Sequence, residues 1–216
     1  MNMKTIPSPK HCPLPSLPDI CVTKPEVFII ESLYPEDEVQ NRFEGRTLAN
    51  LLRLSGKSPR YFYFHDNVEL PYIIALFRQS QYRYLHFSCH GDATDVITRS
   101  GNIPYMEFSN LFKGHLQLRR VFFSACELGN ELFTEVMGGN NKGMHSIVAP
   151  AERIFFAQAA AIYHTLYLSL FAKDKKNMSH HEIISKLKSI TPLFPVSFHF
   201  SGFSPTSKKW NHQTIK

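Results

Sequence analysis

Two residues that can do chemistry, a histidine and a cysteine, each follow a short apolar run typical of a buried strand. His90 comes after residues 84–88, and Cys126 comes after residues 120–124. Reactive groups collect beyond the carboxyl ends of parallel strands, and consecutive strands often lie side by side about 4.8 Å apart. A cysteine becomes an effective nucleophile when a neighbouring imidazole takes the thiol proton and later protonates the leaving amine. This pair therefore predicts hydrolysis of a peptide bond, with Cys126 as nucleophile and His90 as general base.

Small residues surround the pair. Gly91 follows the histidine, which allows a substrate carbonyl to approach the backbone, and Ser124 and Ala125 precede the cysteine. The amides of Gly91 and Cys126 are therefore the predicted oxyanion hole. A single cysteine after a strand is more often a small buried side chain, so the prediction depends on the combination.

A metal site is the alternative use of these histidines and cysteines. If His86 and His90 share one strand face, they lie about 13 Å apart. Zinc ligands must converge within about 2.0–2.3 Å of one ion. Cys89 points to the opposite face of the strand and is predicted to pack in the core. We therefore predict neither a metal nor another cofactor.

The elements that must position the pair alternate between strands and helices along the chain. Helical stripes, one of them weakened by Gly45, separate the apolar runs, and Ser179 and Glu182 form a capping box before the last stripe. Such alternation predicts an α/β fold with a mostly parallel sheet between helical layers. The predicted strands are residues 26–33, 61–65, 84–88, 120–124, 146–149 and 196–200.

Three segments are predicted to lie outside the regular elements. Residues 1–25 contain six prolines and are expected to form an extended tail, and residues 204–216 are expected to form a polar tail that frays. The glycine- and asparagine-rich residues 129–144 are expected to form a mobile loop. The predicted domain is thus residues 26–203.

Two segments of the sequence, YLHFSCHG at residues 84–91 and VFFSACELG at residues 121–129, resemble the CHAT family of caspase-like cysteine peptidases. That family shows a strand ending in His-Phe-x-Cys-His-Gly, followed by Ser-Ala-Cys and a nearby glycine. The resemblance extends over residues 26–203 and implies a caspase-hemoglobinase-like three-layer sandwich. It also implies that His90 and Cys126 are the catalytic dyad and that Gly91 is the oxyanion glycine.

The sequence departs from caspases proper, which carry Gln-Ala-Cys-x-Gly with the histidine about 50 residues upstream. Here Ser124 stands two residues before the nucleophile, and His90 lies 36 residues upstream of Cys126. The resemblance implies that position 124 helps to form the floor of the substrate pocket, and serine there removes the case for aspartate specificity. Asp92 and Glu152 are candidate substrate-binding residues for a basic side chain, although acids near a cleft are more often simply solvated.

The resemblance also implies a biological role. Relatives act as proteases or regulated effectors, several of them in bacterial anti-phage defence with gasdermin-like substrates, so a protein substrate and an activating or regulatory partner are expected. The alternative is a catalytically silent interaction module that keeps the dyad. A basic nucleic-acid-binding adaptor is a weaker third hypothesis.

Composition agrees with a folded domain and does not favour nucleic acid as a direct partner. Apolar residues make up 43% and charged residues 19% of the chain, and the formal charge of +6 comes from scattered basic residues. The longest apolar stretch, residues 154–172, contains too many polar groups for a membrane span. Four cysteines without regular spacing and the lack of a signal-peptide pattern favour the cytoplasm.

Overall fold

The computed structural model describes residues 22–174 and 176–216. The predicted Pro-rich tail therefore lies outside the described residues up to residue 21. The described residues form ten strands in two sheets. In chain order they are β1 (Lys24–Glu31), β2 (Arg60–Tyr63), β3 (Tyr82–Ser88), β4 (His90–Gly91), β5 (Asp95–Thr98), β6 (Gly101–Pro104), β7 (Arg120–Ser124), β8 (Ser146–Pro150), β9 (Phe198–Ser204) and β10 (Lys209–Ile215).

The large sheet has seven strands in the order β10-β9-β8-β7-β3-β1-β2. Neighbouring strands from β2 to β8 are parallel, whereas β8, β9 and β10 pair antiparallel. The central strands β1, β3 and β7 are nearly continuous apolar runs because helices cover both of their faces.

Among the described residues are seven α-helices, and two separate apolar cores lie on the two faces of the large sheet. Residues of α2, α6 and α7 belong to one core, and residues of α3, α4 and α5 belong to the other. The predicted α/β sandwich with a mostly parallel sheet is confirmed. The helices are α1 (Pro35–Val39), α2 (Glu44–Leu54), α3 (Leu70–Ser80), α4 (Tyr105–Leu111), α5 (Glu131–Asn140), α6 (Phe156–Lys173) and α7 (His180–Ile190).

A three-stranded antiparallel sheet, β4-β5-β6, was not predicted from the sequence. It is inserted between β3 and α4 and begins at His90 itself, which pairs with Ile97. The turn between β5 and β6 contains Gly101 at a φ of +118°, a conformation that favours glycine. The crossover between the histidine and the cysteine thus carries this small sheet as well as α4.

The single helix predicted after β1 is divided into α1 and α2 by residues 40–43. Asn41 adopts a φ of +58° there, and α2 restarts where the Glu31 carboxylate accepts hydrogen bonds from the amides of Gly45 (2.7 Å) and Arg46 (3.2 Å). A Cβ at Gly45 would lie 3.0 Å from Ile29 Cγ2, so glycine allows this close approach. The break determines which acid of α1 faces the histidine.

Two predictions for irregular segments are wrong, and the packing of β10 against α5 bears on both. Residues 209–215 do not fray but form β10 along the whole of β9, and the expected loop 129–144 contains α5. Asn130 caps α5 by accepting a hydrogen bond from the Phe133 amide at 2.7 Å. Trp210 of β10 packs where a Cβ on Gly138 of α5 would lie, 2.4 Å from the indole nitrogen. The glycine and the tryptophan therefore serve tertiary packing, which local sequence patterns do not reveal.

Within the described residues, no helix combines the length and the apolar character needed to cross a membrane. The apolar helix α6 instead buries one side against the sheet through residues that include Ile162, Tyr163, Leu166 and Tyr167.

Candidate active site

The ends of β3 and β7 place the predicted dyad at one edge of the sheet. Ser88 pairs with Ser124 in the parallel ladder, and the Cys89 amide donates to the Ser124 carbonyl at 3.2 Å. His90 and Cys126 each follow two residues after the paired serines. The structure therefore brings the two residues to neighbouring strand ends, as the sequence predicts.

The His90 ring is held on three sides. Its Nε2 lies 2.7 Å from Asp37 Oδ2, the Tyr34 ring stacks on it at a centroid distance of 4.5 Å, and the Phe156 ring meets it edge-on at 5.5 Å. A carboxylate only accepts, so Nε2 carries the hydrogen and Nδ1 is left as the basic nitrogen. This tautomer is the one that a general base acting through Nδ1 requires.

Asp37 is a functional candidate that the sequence did not single out, because it stands among three consecutive acids at a helix start. It is 5% exposed, and its second oxygen accepts from Arg42 at 3.0 Å. The next residue, Glu38, bonds to Arg99 of the β5–β6 turn and to the Tyr63 hydroxyl. These contacts fix α1 against the small sheet and so hold the Asp37 carboxylate toward the imidazole.

The Cys126 thiol is half-buried and contacts the segment that follows β8. Ile154 presents both of its peptide groups to the sulfur, with its amide nitrogen 3.5 Å and its carbonyl oxygen 3.6 Å from Sγ. Among the described residues, no hydrogen bond joins Cys126 to His90. The thiol therefore lies beside the end of β3, which leads to His90, but it contacts the backbone of Ile154.

A tight turn presents the cysteine. Glu127 adopts a φ of +60°, and its carbonyl accepts from the Asn130 side chain at 2.9 Å. Gly129 approaches the end of β8 so closely that a Cβ there would lie 2.5 Å from the Ala149 carbonyl oxygen. This is the glycine of the Ser-Ala-Cys-Glu-Leu-Gly motif, and its role is to let the turn close.

The predicted oxyanion residues lie together. Within the described part of the chain, the Cys126 amide donates to no acceptor. Gly91 sits against the Cys126 backbone, where a Cβ would lie 2.9 Å from the Cys126 carbonyl oxygen and 3.1 Å from Leu128 Cγ. Glycine is therefore required at position 91 for this approach.

We expect Gly91→Ala to shift the Cys126 turn and to lower the free energy of unfolding by about 1–3 kcal/mol through overpacking. Urea denaturation measures this change. Gly139→Ala is the matched control, because a Cβ on that α5 residue meets nothing within 4 Å and alanine favours a helix. A Gly91→Ala protein as stable as the control would show that this contact is not tight.

Cys89 is confirmed as a core residue on the opposite face. It is 5% exposed, and burial raises the pKa of its thiol well above the usual value, with smaller contributions from Cys126 and Glu31. A thiol that stays protonated is a poor nucleophile. Of the two cysteines that the structure describes near His90, Cys126 is the one suited to attack.

Buried polar groups lie under the dyad on the face covered by α2 and α6. Besides the two α2 amides, the Glu31 carboxylate accepts from the Tyr61 hydroxyl (2.7 Å) and the Ser88 hydroxyl (3.2 Å). Beneath it, His86 Nε2 lies 3.1 Å from Glu44 Oε2, and both side chains are almost fully buried. Burial, with a smaller contribution from Glu44, raises the pKa of Glu31 to about 7. Within the described residues, no group of three such side chains forms a metal site.

The raised pKa of Glu31 predicts a pH dependence of stability. Between its ordinary pKa of 4.5 and about 7, the folded state holds a proton that the unfolded state has lost. Stability therefore falls as pH rises through this window, by on the order of 3 kcal/mol. Urea denaturation at pH 4.5 and 7.5 should show a smaller loss in Glu31→Gln than in the wild type. The exposed Glu107→Gln control should behave like the wild type, and an unchanged slope in Glu31→Gln would contradict the assignment.

The three candidate substrate-binding residues have different surroundings. Asp92 uses Oδ1 within its own turn, accepting from the amides of Thr94 and Asp95 at 2.8 Å each, and Ser124 is 6% exposed. Glu152 lines an open cavity of about 420 Å³ together with Glu127, the neighbour of the cysteine. The structure thus places Glu152, but not Asp92 or Ser124, in this cavity, and it adds Glu127 to the sequence-based set; neither Cys126 nor His90 is among the lining residues.

The fold is that of known cysteine proteases, at low sequence identity. A secreted C11 cysteine protease from Bacteroides thetaiotaomicron, in complex with an irreversible peptide inhibitor, superposes with a TM-score of 0.54 over 82% of this chain, at 9% identity. An inactive zymogen C11 protease from Parabacteroides distasonis gives 0.54 over 85% at 10% identity, and the RgpB pro- and mature domains from Porphyromonas gingivalis give 0.52 over 78% at 15% identity.

This chain spans 66%, 63% and 43%, respectively, of those three chains. No family model matches the sequence, and no curated protein matches it. The similarity therefore establishes a caspase-like peptidase fold.

Proposed function

We propose that the chain is a cysteine endopeptidase in which Cys126 is the nucleophile, His90 the general base and Asp37 the residue that positions the base. The observation that carries the proposal is the hydrogen bond between His90 Nε2 and the buried Asp37 carboxylate, at the end of the strand adjacent to the one that presents Cys126. It leaves Nδ1 to accept a proton.

Each step of the reaction has a residue in the proposal. His90 Nδ1 takes the Cys126 proton, and the sulfur attacks the scissile carbonyl carbon while the carbonyl electron pair moves to the oxygen. The amides of Gly91 and Cys126 bind this oxyanion. When the carbon–nitrogen bond breaks, His90 gives the proton to the leaving amine, and a thioester remains on Cys126. Water, deprotonated by His90, then hydrolyses the thioester. Neither metal nor cofactor has a part in the proposal.

The contact between Ile154 and Cys126 supports a requirement for activation. Both peptide groups of Ile154 lie at the sulfur, where a substrate would need to bind. Substrate or a regulatory protein partner must therefore displace Ile154 from the sulfur before attack. The same contact favours the second candidate function, an interaction module with the caspase-like fold that does not turn over by itself.

The acidic cavity supports a preference for a basic substrate residue next to the scissile bond. Glu127 and Glu152 both line it, and the chain's own Arg153 already reaches Glu127 at 3.2 Å. Of the substrate-binding residues suggested by sequence, Glu152 is retained in the proposal, whereas Asp92 and Ser124 do not line the cavity. We expect the double variant Glu127→Gln, Glu152→Gln to lose selectivity for basic over neutral peptides by about tenfold.

The family, the cellular compartment and the class of protein substrate are part of the same proposal. The Cys-His-Gly and Ser-Ala-Cys segments support membership of the CHAT family, and Cys89 and Cys126 are free thiols, as in a reducing cytoplasm. A bacterial defence effector with a gasdermin-like protein substrate fits such a peptidase.

A peptide-library experiment tests the proposed function. Purified protein is incubated with peptides of diverse sequence, and mass spectrometry identifies new termini in parallel with Cys126→Ala. We expect cleavage beside basic residues only with the wild-type protein. Cleavage that persists in Cys126→Ala would refute the assignment, and absence of cleavage with every activator tested would favour the interaction module.

A further inference from the structure

A second cavity, of about 640 Å³, lies at the opposite end of the parallel strands from Cys126. Arg83, the second residue of β3, and Arg120, the first residue of β7, both line it. Its volume falls within the range of small-molecule sites. The remaining lining residues are Val22, Thr23, Leu118, His145, Asp174, Asn177, Met178, Ser179 and Glu182.

The two arginines bring positive charge that the surrounding carboxylates do not neutralise. No carboxylate of the described residues lies within ion-pair distance of Arg83 or Arg120. Among the described residues, the Arg120 guanidinium makes one hydrogen bond, to the Ser146 hydroxyl at 2.9 Å. Arg83 is bound to Thr23, the Lys176 carbonyl and Asn177, which fixes its guanidinium at the wall of the cavity.

The two carboxylates that line the cavity, Asp174 and Glu182, bind groups other than the two arginines. Glu182 pairs with Lys173 at 3.1 Å and caps α7 together with Ser179, and Asp174 accepts from the Lys176 amide at 2.7 Å. Ser179, the N-cap of α7, lines the cavity, so the positive end of the α7 helix dipole also faces it.

The titration of His145 agrees with an excess of positive charge. Burial and, to a smaller extent, Arg120, His180, Arg83 and Arg119 together lower its pKa to about 4. The imidazole is therefore neutral at pH 7 and offers a hydrogen bond without adding charge. Burial lowers the pKa of Arg120 to about 10, with Tyr84 opposing this shift and Arg83 adding to it.

We propose that this cavity binds a phosphate-bearing small molecule, with Arg120 as the principal ligand and Arg83 as a fixed second cation. Guanidinium groups match the oxygens of a phosphate group, and a concave site suits a small anion better than an extended polymer. A bound phosphate would join the beginnings of β3 and β7, the two strands whose other ends lead to His90 and Cys126. The site is independent of the proposed peptidase activity.

The probe is inorganic pyrophosphate, and the readout is the thermal unfolding of the full chain at ionic strength matched with sodium chloride. We expect a saturable rise in Tm of about 5 °C at a hundredfold excess over Kd. Arg120→Gln should abolish the rise. Asn177→Asp should abolish it as well, because a carboxylate in place of the amide keeps the bond to Arg83 while neutralising it.

Two comparisons make the result decisive. Lys188→Gln removes the same charge from an exposed position on α7 outside the cavity and should keep the full rise. Asn177→Asp keeps the bond to Arg83 and gives up the side-chain hydrogen bond to Asp174 at the cavity rim, so it remains informative if Arg120→Gln fails to fold. A rise that does not saturate, or one of equal size in Asn177→Asp and the wild type, would overturn the proposal.

Discussion

Replacing Cys126 by alanine should lower peptide hydrolysis by at least about 10⁴-fold, because no thioester can form without the sulfur. His90→Ala should have a loss of similar size, since the thiol then lacks its base. The double variant should be no worse than either single variant, because the two residues act as one unit. Steady-state cleavage of the best library peptide measures all three.

Cys89→Ala is the matched control for these variants. It removes the thiol adjacent to His90 in sequence, but that thiol packs in the core on the other face of the sheet. We expect a stability loss of ~1–2 kcal/mol from lost packing and nearly unchanged hydrolysis. Full activity in a folded Cys126→Ala protein, or loss of activity in Cys89→Ala without unfolding, would show that the nucleophile is wrongly assigned.

Asp37→Asn should lower kcat by roughly 10²- to 10⁴-fold with little change in KM. The asparagine can present its amide to His90 Nε2, and the hydrogen then moves to Nδ1, the nitrogen that must accept the thiol proton. The fold should persist, because asparagine has the shape of aspartate and its side-chain oxygen can still accept the hydrogen bond from Arg42.

Two controls separate positioning of the base from a general effect of the helix. Glu36→Gln changes the neighbouring exposed acid of α1 and should leave kcat unchanged. Asp37→Glu retains a carboxylate and should recover part of the lost activity. A kcat for Asp37→Asn equal to that of the wild type, or a loss confined to KM, would remove Asp37 from the proposed mechanism.

The placement of His90 and Cys126 at neighbouring strand ends could be predicted from the sequence because its signal is local. Two apolar runs end at His90 and Cys126, and the ends of consecutive parallel strands meet at one edge of the sheet. The face of Cys89 follows from the two-residue period of a strand, and its burial is confirmed. The glycines of the two motifs could be noted, but the backbone groups that they approach could not be identified.

Asp37 could not be predicted, because three consecutive acids offer the same local pattern. The choice among them depends on how contacts with other elements place α1, such as those of Glu38 with Arg99 and Tyr63. β10 was missed for a similar reason. Its polar residues gain order by pairing with β9 and by the packing of Trp210 on α5, and both are long-range contacts.

The most direct test of the account is the rate at which iodoacetamide modifies each cysteine of the native protein, mapped by mass spectrometry. The account predicts that Cys126 reacts at least about tenfold faster than Cys89, and that His90→Ala removes this advantage. Faster modification of Cys89, or a Cys126 rate that does not depend on His90, would contradict the proposed dyad.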